Sequence, residues 1–268
     1  LRDESGQVYG ALVTFFDLTP MREMERKIRH LDRIATLGRF TSSVAHEIRN
    51  PLAGIAAGIE YLGRGIPPED PRSEHLRFVT REVARLERIL SDLSRATRPR
   101  EPQVQPVRIE TLIADAIQAI RSRPEAAAAQ IETDFPHNLP PALVDPDHLT
   151  QVLVNLLLNA IQAAGDCPVT VRAWTTPRIP GGRRRLWVAV EDSGPGISAD
   201  NLDRIFEPFF TTKREGTGLG LYICHEMVKR NGGEITVRNL PLHGAQFLIE
   251  LPASRRPAPE TSGTARPA

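Results

Sequence analysis

An apolar seam running from Met21 to Leu62 constrains this sequence more than any other feature. Met21, Met24, Ile28, Leu31 and Ala35 recur at spacings of three and four, and Leu37, Phe40, Val44 and Ile48 carry the stripe onward. Such spacing places apolar side chains on one face of a helix, in the manner of a coiled-coil seam. Thr19 suits the N-cap and Pro20 the first helical position. Only Pro51 interrupts the run, and a kink is expected there. A helix from Pro20 to Gly63 would be about 65 Å long at the usual rise. One amphipathic helix lying on a core would show the same periodicity.

Gly63 to Ser73, with Gly65, Pro67, Pro68 and Pro71, reads as a loop. A second stripe follows in Leu76, Val79, Val83, Leu86, Leu90 and Leu93. Two helices joined by a short loop make an antiparallel hairpin. One hairpin cannot hide this much apolar face alone. Two would close a four-helix bundle, so a homodimer is expected.

Pro99, Pro102 and Pro106 mark a linker across 99–106, after which the texture changes. Helical stripes at Ile109–Ile120 and Asp147–Ala164 alternate with strand-like runs at Ile131–Phe135, Val169–Trp174, Leu186–Glu191, Ile235–Val237 and Gln246–Leu251. This interleaving predicts a two-layer α/β sandwich over 107–252. Residues 253–268 are rich in Pro, Ala, Ser and Thr and are expected to be disordered. At the other end, Val8 to Phe16 reads as a strand.

With 34 basic and 33 acidic residues the chain carries a formal charge of +1, so nothing marks nucleic acid or an anionic membrane as a partner. Cys167 and Cys224 have no metal-site spacing and read as small buried hydrophobes in a reducing compartment. No apolar run reaches the ~18 residues of a membrane helix. The chain begins at Leu1, so it reads as a cytoplasmic fragment whose upstream part could carry sensor or membrane segments.

Four constellations carry chemistry. The first is Ala45-His46-Glu47-Ile48-Arg49-Asn50-Pro51-Leu52 on the first long helix, where His46 and Asn50 share a face. A neutral imidazole nitrogen is a nucleophile, and a neighbouring carboxylate can hold the proton on the other nitrogen. Taken alone, a helical His is as readily a solvated residue. The second is Asn155-Leu156-Leu157-Leu158-Asn159-Ala160, whose two amides line one side of a helix and offer oxygens suited to Mg²⁺. Two polar residues facing solvent would look the same.

The third is Asp192-Ser193-Gly194-Pro195-Gly196-Ile197, directly after a strand. Its glycines let backbone approach a ligand, and its aspartate can accept from an adenine amino group. Ordinary turns have this composition too. The fourth is Phe206-Glu207-Pro208-Phe209-Phe210-Thr211-Thr212-Lys213, followed by Gly216-Thr217-Gly218-Leu219-Gly220-Leu221. A Gly-rich loop opening onto a helix N-terminus suits phosphate, and Lys213 adds a point charge. The three Phe residues are either simple core or a hydrophobic latch beside the nucleotide.

In this order and spacing the blocks resemble those of the sensor histidine kinases, over about Leu31 to Leu251. The acceptor block, and Phe-Phe-Thr-Thr-Lys running almost directly into the Gly-rich loop, are most similar to the nitrogen-regulation subgroup. Residues 1–19, ending Asp17-Leu18-Thr19, resemble the end of a PAS sensor domain. The resemblance implies a coiled-coil linker and dimeric phosphotransfer hairpin over 20–98, then an ATP-binding domain of the Bergerat type. It implies that His46 accepts the phosphoryl group with Glu47 as orienting base, and that Asn50 serves dephosphorylation of a response-regulator partner. It makes Asn159 the Mg²⁺ ligand, Asp192 the adenine contact and Asn155 a further pocket residue. Gly194, Gly196, Gly216, Thr217, Gly218, Leu219 and Gly220 then shape the nucleotide pocket, and Lys213 meets the γ-phosphate of ATP. Two departures are Asn231-Gly232-Gly233, where His-Gly-Gly is commoner, and Gly244-Ala245-Gln246-Phe247, where Gly-Thr-x-Phe is typical.

Hydrolytic ATPases with the same ATP fold place a Glu four residues before the metal-binding Asn. Here that place is Asn155, whose amide cannot act as a base at neutral pH. A non-catalytic dimeric scaffold is the other alternative. It fits less well, because no residue of the nucleotide blocks is missing.

Overall fold

The computed structural model describes residues 48, 50–67, 69–97, 100–123, 126–136, 138–175, 184–213 and 216–254. The strand of 1–19, the linker helix, His46 and Glu47 lie outside the described residues.

A first helix, α1, runs across 50–63, and a second, α2, across Pro71–Thr97. They pack through Leu52 of α1 and Val83 and Leu90 of α2, with Ala56 and Ile59 alongside. Helix α2 begins inside the segment expected to be loop. The reason is local: Asp70 Oδ1 accepts from Arg72 N at 2.8 Å, and Pro71 occupies the first helical position. The Arg72 guanidinium also lies 2.6 Å from Asp70 Oδ2, and this partner lowers the carboxyl pKa to about 2. Much of the seam stays open in a single chain: Leu62 is 64% exposed and Leu86 46%.

The mixed region that follows holds two sheets. Strand β1 (Gln105–Val107) pairs antiparallel with β3 (Ala142–Val144). The larger sheet has the order β2-β4-β5-β7-β6, built from β2 (Ile131–Asp134), β4 (Val169–Thr175), β5 (Arg185–Glu191), β6 (Glu234–Asn239) and β7 (Ala245–Pro252). Among the described residues only β2 and β4 pair in parallel. Alternation puts Val169, Val171 and Ala173, Leu186, Val188 and Val190, and Phe247, Ile249 and Leu251 on one face. Against that face lie α3 (Ile109–Arg121), α4 (Pro146–Ala164) and α6 (Gly220–Arg230), which share its core. A short α5 (Ala199–Leu202) follows β5, and α2 lies beside α6.

This is the hairpin followed by a two-layer α/β sandwich that the periodicities predict. Two boundaries differ. Gln105 and Pro106 belong to a ladder rather than to the linker. At the other end Ala253 bridges Ala142, and Ser254 N donates to Pro141 O at 2.7 Å, so the fold reaches past 252.

Candidate functional site

Helix α4 is the wall on which the site is built. Asp145 caps it: Oδ1 accepts from Asp147 N at 3.0 Å and His148 N at 3.2 Å. Asp145 Oδ2 accepts from Gln103 N of the linker at 2.6 Å, and Asp145 N donates to Asn231 Oδ1 at 2.6 Å. Burial pushes the Asp145 carboxyl up. The donors Gln103 N, His148 N and Asp147 N outweigh it, and the net shift is downward. Asn231 is buried and also donates to Met227 O at 2.7 Å, so this departure from the family pattern ties the start of α4 to the end of α6.

Most of α4 is apolar and buried, but Asn155, Asn159 and Gln162 form a polar stripe at helical spacing. Asn155 Nδ2 donates to Cys224 Sγ of α6 at 3.3 Å. Gly220, at the start of α6, brings backbone so close that a Cβ there would lie 2.8 Å from the same Nδ2. Lys213 Nζ donates to Asn159 Oδ1 at 3.0 Å and to Gln162 Oε1 at 2.6 Å. Desolvation lowers the Lys213 pKa from the ordinary lysine value, although the residue as a whole remains exposed. Of the two cysteines only Cys224 is buried. Cys167 is exposed in the turn after α4, where its small side chain has no core to join, which corrects the expectation that both are buried.

The loop after β5 closes on the same helix. Asp192 is buried, and its Oδ1 accepts from Gly194 N at 2.9 Å and Ala245 N at 3.3 Å. Gly194 has no room for a side chain, since a Cβ would meet Ala163 O of α4 at 2.5 Å. Asn239 holds the next turn, accepting from Ile197 N at 2.8 Å and donating to Ile197 O at 2.6 Å. Gly196 lies against that amide.

Before α6, Phe206 and Phe210 pack against the core, whereas Phe209 is exposed. Arg204 sits 4.6 Å over the Phe210 ring. Phe209 has φ 66° and Gly218 φ 67°, and the Phe209 backbone fills the space a Gly218 side chain would need. Gly216 likewise abuts Thr211, and Thr217 Oγ1 accepts from Leu219 N at 3.2 Å. Among the described residues no side chain caps α6, so its N-terminus points donors and dipole at the Gly-rich loop.

The structure thus gathers Asn155, Asn159, Lys213 and Gly220 on one side of α4, with the Asp192–Gly196 loop against its end. An uncapped helix N-terminus, an ammonium and amide oxygens together suit a triphosphate and its hard cation. Asn50 is exposed on α1. Gln162, Cys224 and Asn239 carry no signal in the sequence that sets them apart. Their partners come from elsewhere in the chain.

The sequence matches two family models. The His Kinase A (phospho-acceptor) domain matches residues 36–102, and the histidine kinase-, DNA gyrase B- and HSP90-like ATPase matches 144–255. The chain is 33% identical over 254 residues to the signal transduction histidine-protein kinase AtoS of Escherichia coli K12, covering 94% of this chain and 41% of that one. Among solved structures it resembles full-length ShkA in complex with AMPPNP (TM-score 0.65, 27% identity, 80% of this chain and 46% of that one). It also resembles the histidine kinase ThkA in complex with the response regulator protein TrrA (TM-score 0.59, 26% identity, 96% and 74%). The chain spans about half the length of the curated relatives it matches.

Proposed function

This chain belongs to the histidine kinases of two-component systems, and from that premise we propose that it transfers the γ-phosphoryl group of ATP to its own His46 and thence to an aspartate of a response regulator. The observation that carries this reading is the convergence of Asn155, Asn159, Lys213 and the uncapped start of α6 on one stripe of α4. Asn159 would hold Mg²⁺ and Lys213 would meet the γ-phosphate. Bound there, Mg²⁺ neutralises phosphate charge. Asp192 reads the adenine, and Gly194, Gly196, Gly216, Thr217, Gly218, Leu219 and Gly220 let backbone line the pocket. Glu47 orients the His46 imidazole. Asn155, whose Nδ2 already donates to Cys224, offers no base for water.

The acting species is a homodimer. The exposed apolar residues of the hairpin, Leu62, Phe78 and Leu86 among them, supply the face two copies would share. The chain is also a phosphatase of its regulator through Asn50. Residues 1–19 end a PAS-type domain, and the acceptor block and Gly-rich loop are of the nitrogen-regulation type, both on sequence pattern alone. Among the described residues no helix is long and apolar enough to cross a membrane. The use of ATP and of a response regulator is what places this portion in the cytoplasm. The test is to incubate the purified chain with labelled ATP and Mg²⁺. A label that is acid-labile and base-stable supports phosphohistidine. A base-labile, acid-stable label rejects it.

A further inference from the structure

We propose that Gln162 is a positioning residue for the nucleotide: it keeps the Lys213 ammonium at the surface of α4 when the metal takes Asn159. This rests on the reading of Lys213 as the γ-phosphate contact and of Asn159 as the metal ligand.

An ammonium has three protons to donate. Lys213 directs one to Asn159 Oδ1 at 3.0 Å and another, at the shorter distance of 2.6 Å, to Gln162 Oε1. The two acceptors lie one turn apart on α4, so a single side chain reaches both. They differ in what else they are asked to do. Asn159 offers its oxygen to Mg²⁺, and two cations cannot crowd one amide oxygen without repulsion. When the metal binds, Lys213 must leave Asn159. Gln162 is the acceptor that remains.

The anchoring has a backbone half as well. Lys213 N donates to Thr211 Oγ1 at 3.1 Å, which fixes the base of the side chain while Gln162 fixes its tip. With Asn159 given up to the metal and Gln162 holding one proton, two protons of the ammonium are left for phosphate oxygens. A neutral amide suits this task better than a carboxylate, because it orients the ammonium without cancelling the charge that attracts the γ-phosphate. Gln162 itself touches no nucleotide in this account and acts only through Lys213.

The test is the affinity of the full 268-residue chain for ATP and for ADP, each with Mg²⁺, by titration calorimetry. Gln162→Met keeps the length of this exposed side chain and removes its acceptor. It should lower the ATP-over-ADP affinity ratio by roughly three- to tenfold, the worth of one hydrogen bond, with ADP affinity unchanged within about twofold. Lys213→Met should lower the ratio further. Retention of the parent ratio in Gln162→Met, alongside its collapse in Lys213→Met, overturns the proposal and spares the reading of Lys213. Equal weakening of ATP and ADP in Gln162→Met also overturns it, since the residue would then serve the pocket as a whole. An unchanged ratio in Lys213→Met overturns the reading of Lys213 and the proposal with it.

Discussion

The Lys213 ammonium lies 3.0 Å from Asn159 Oδ1, so one side chain of the chain itself holds the amide oxygen that the proposed function gives to Mg²⁺. Substituting Asn159 therefore acts on two partners. Asn159→Ala should lower autophosphorylation by ~100-fold or more, the order seen when one charge-stabilising group is removed. Asn159→Asp should be as inactive for a different reason: the new carboxylate pairs with Lys213 and adds negative charge beside the triphosphate. Rates of label uptake near the parent's in both variants would remove Asn159 from the metal site.

The lowered pKa of Lys213 gives nucleotide affinity a pH dependence. Desolvation disfavours the charged ammonium in the free chain, and a phosphate partner restores it, so binding takes up a proton between the two pKa values. The direction follows. ATP affinity should fall as pH rises through the lowered lysine pKa, and ADP affinity should fall less. Lys213→Arg stays charged throughout and should flatten the ATP profile. Parallel profiles for parent and Lys213→Arg would show that another group sets the dependence.

Asp145 links the linker to both helices of the site through Gln103, His148 and Asn231. Its carboxyl pKa is lowered on folding. The stability it contributes is therefore present above the ordinary carboxylate range and lost as pH falls through the folded pKa. Asp145→Asn keeps a capping oxygen but sets an NH2 group against Gln103 N, and should cost ~1–2 kcal/mol at neutral pH, the order of one buried donor left without its acceptor. The gap between variant and parent in urea melts should narrow as pH is lowered. A gap that widens toward acid would mean that the carboxylate is not the stabilising species.

Asn50 and Glu47 are proposed to divide two activities. An amide one turn from His46 can hold a water in line with an aspartyl phosphate without taking its proton. Asn50→Ala should keep autophosphorylation and lose most of the phosphatase activity toward a pre-phosphorylated receiver with ADP present. Glu47→Ala should lose mainly autophosphorylation. Clearance of the receiver by Asn50→Ala at the parent rate would reject the water-positioning role.

The sequence made most of α4 legible, because a long apolar stripe sustains it from Asp147 to Ala164, while the Asp145 cap and Pro146 start went unread. Strands of the larger sheet were legible too, as alternation leaves a clear trace in β4 and a continuous apolar run rich in valine does so in β5. The three-residue strands β1 and β3 are too short to show a period, so most of β1 was read as linker and β3 was not read at all. Within the site, the Asn pair and the glycines announced themselves by type and spacing. Gln162 did not, because its role depends on a lysine 51 residues further along the chain. Cys224 was equally silent, since the amide it meets belongs to a helix 69 residues away in sequence.

The most direct test of the central claim is label uptake by the His46→Gln chain beside the parent, with labelled ATP and Mg²⁺. The account predicts acid-labile label on the parent and none on His46→Gln, while both bind ATP with the same affinity. His30, His75, His137, His148, His225 and His243 lack the acceptor block and should stay unlabelled. Parent-level labelling of His46→Gln, with the same acid lability, would contradict it.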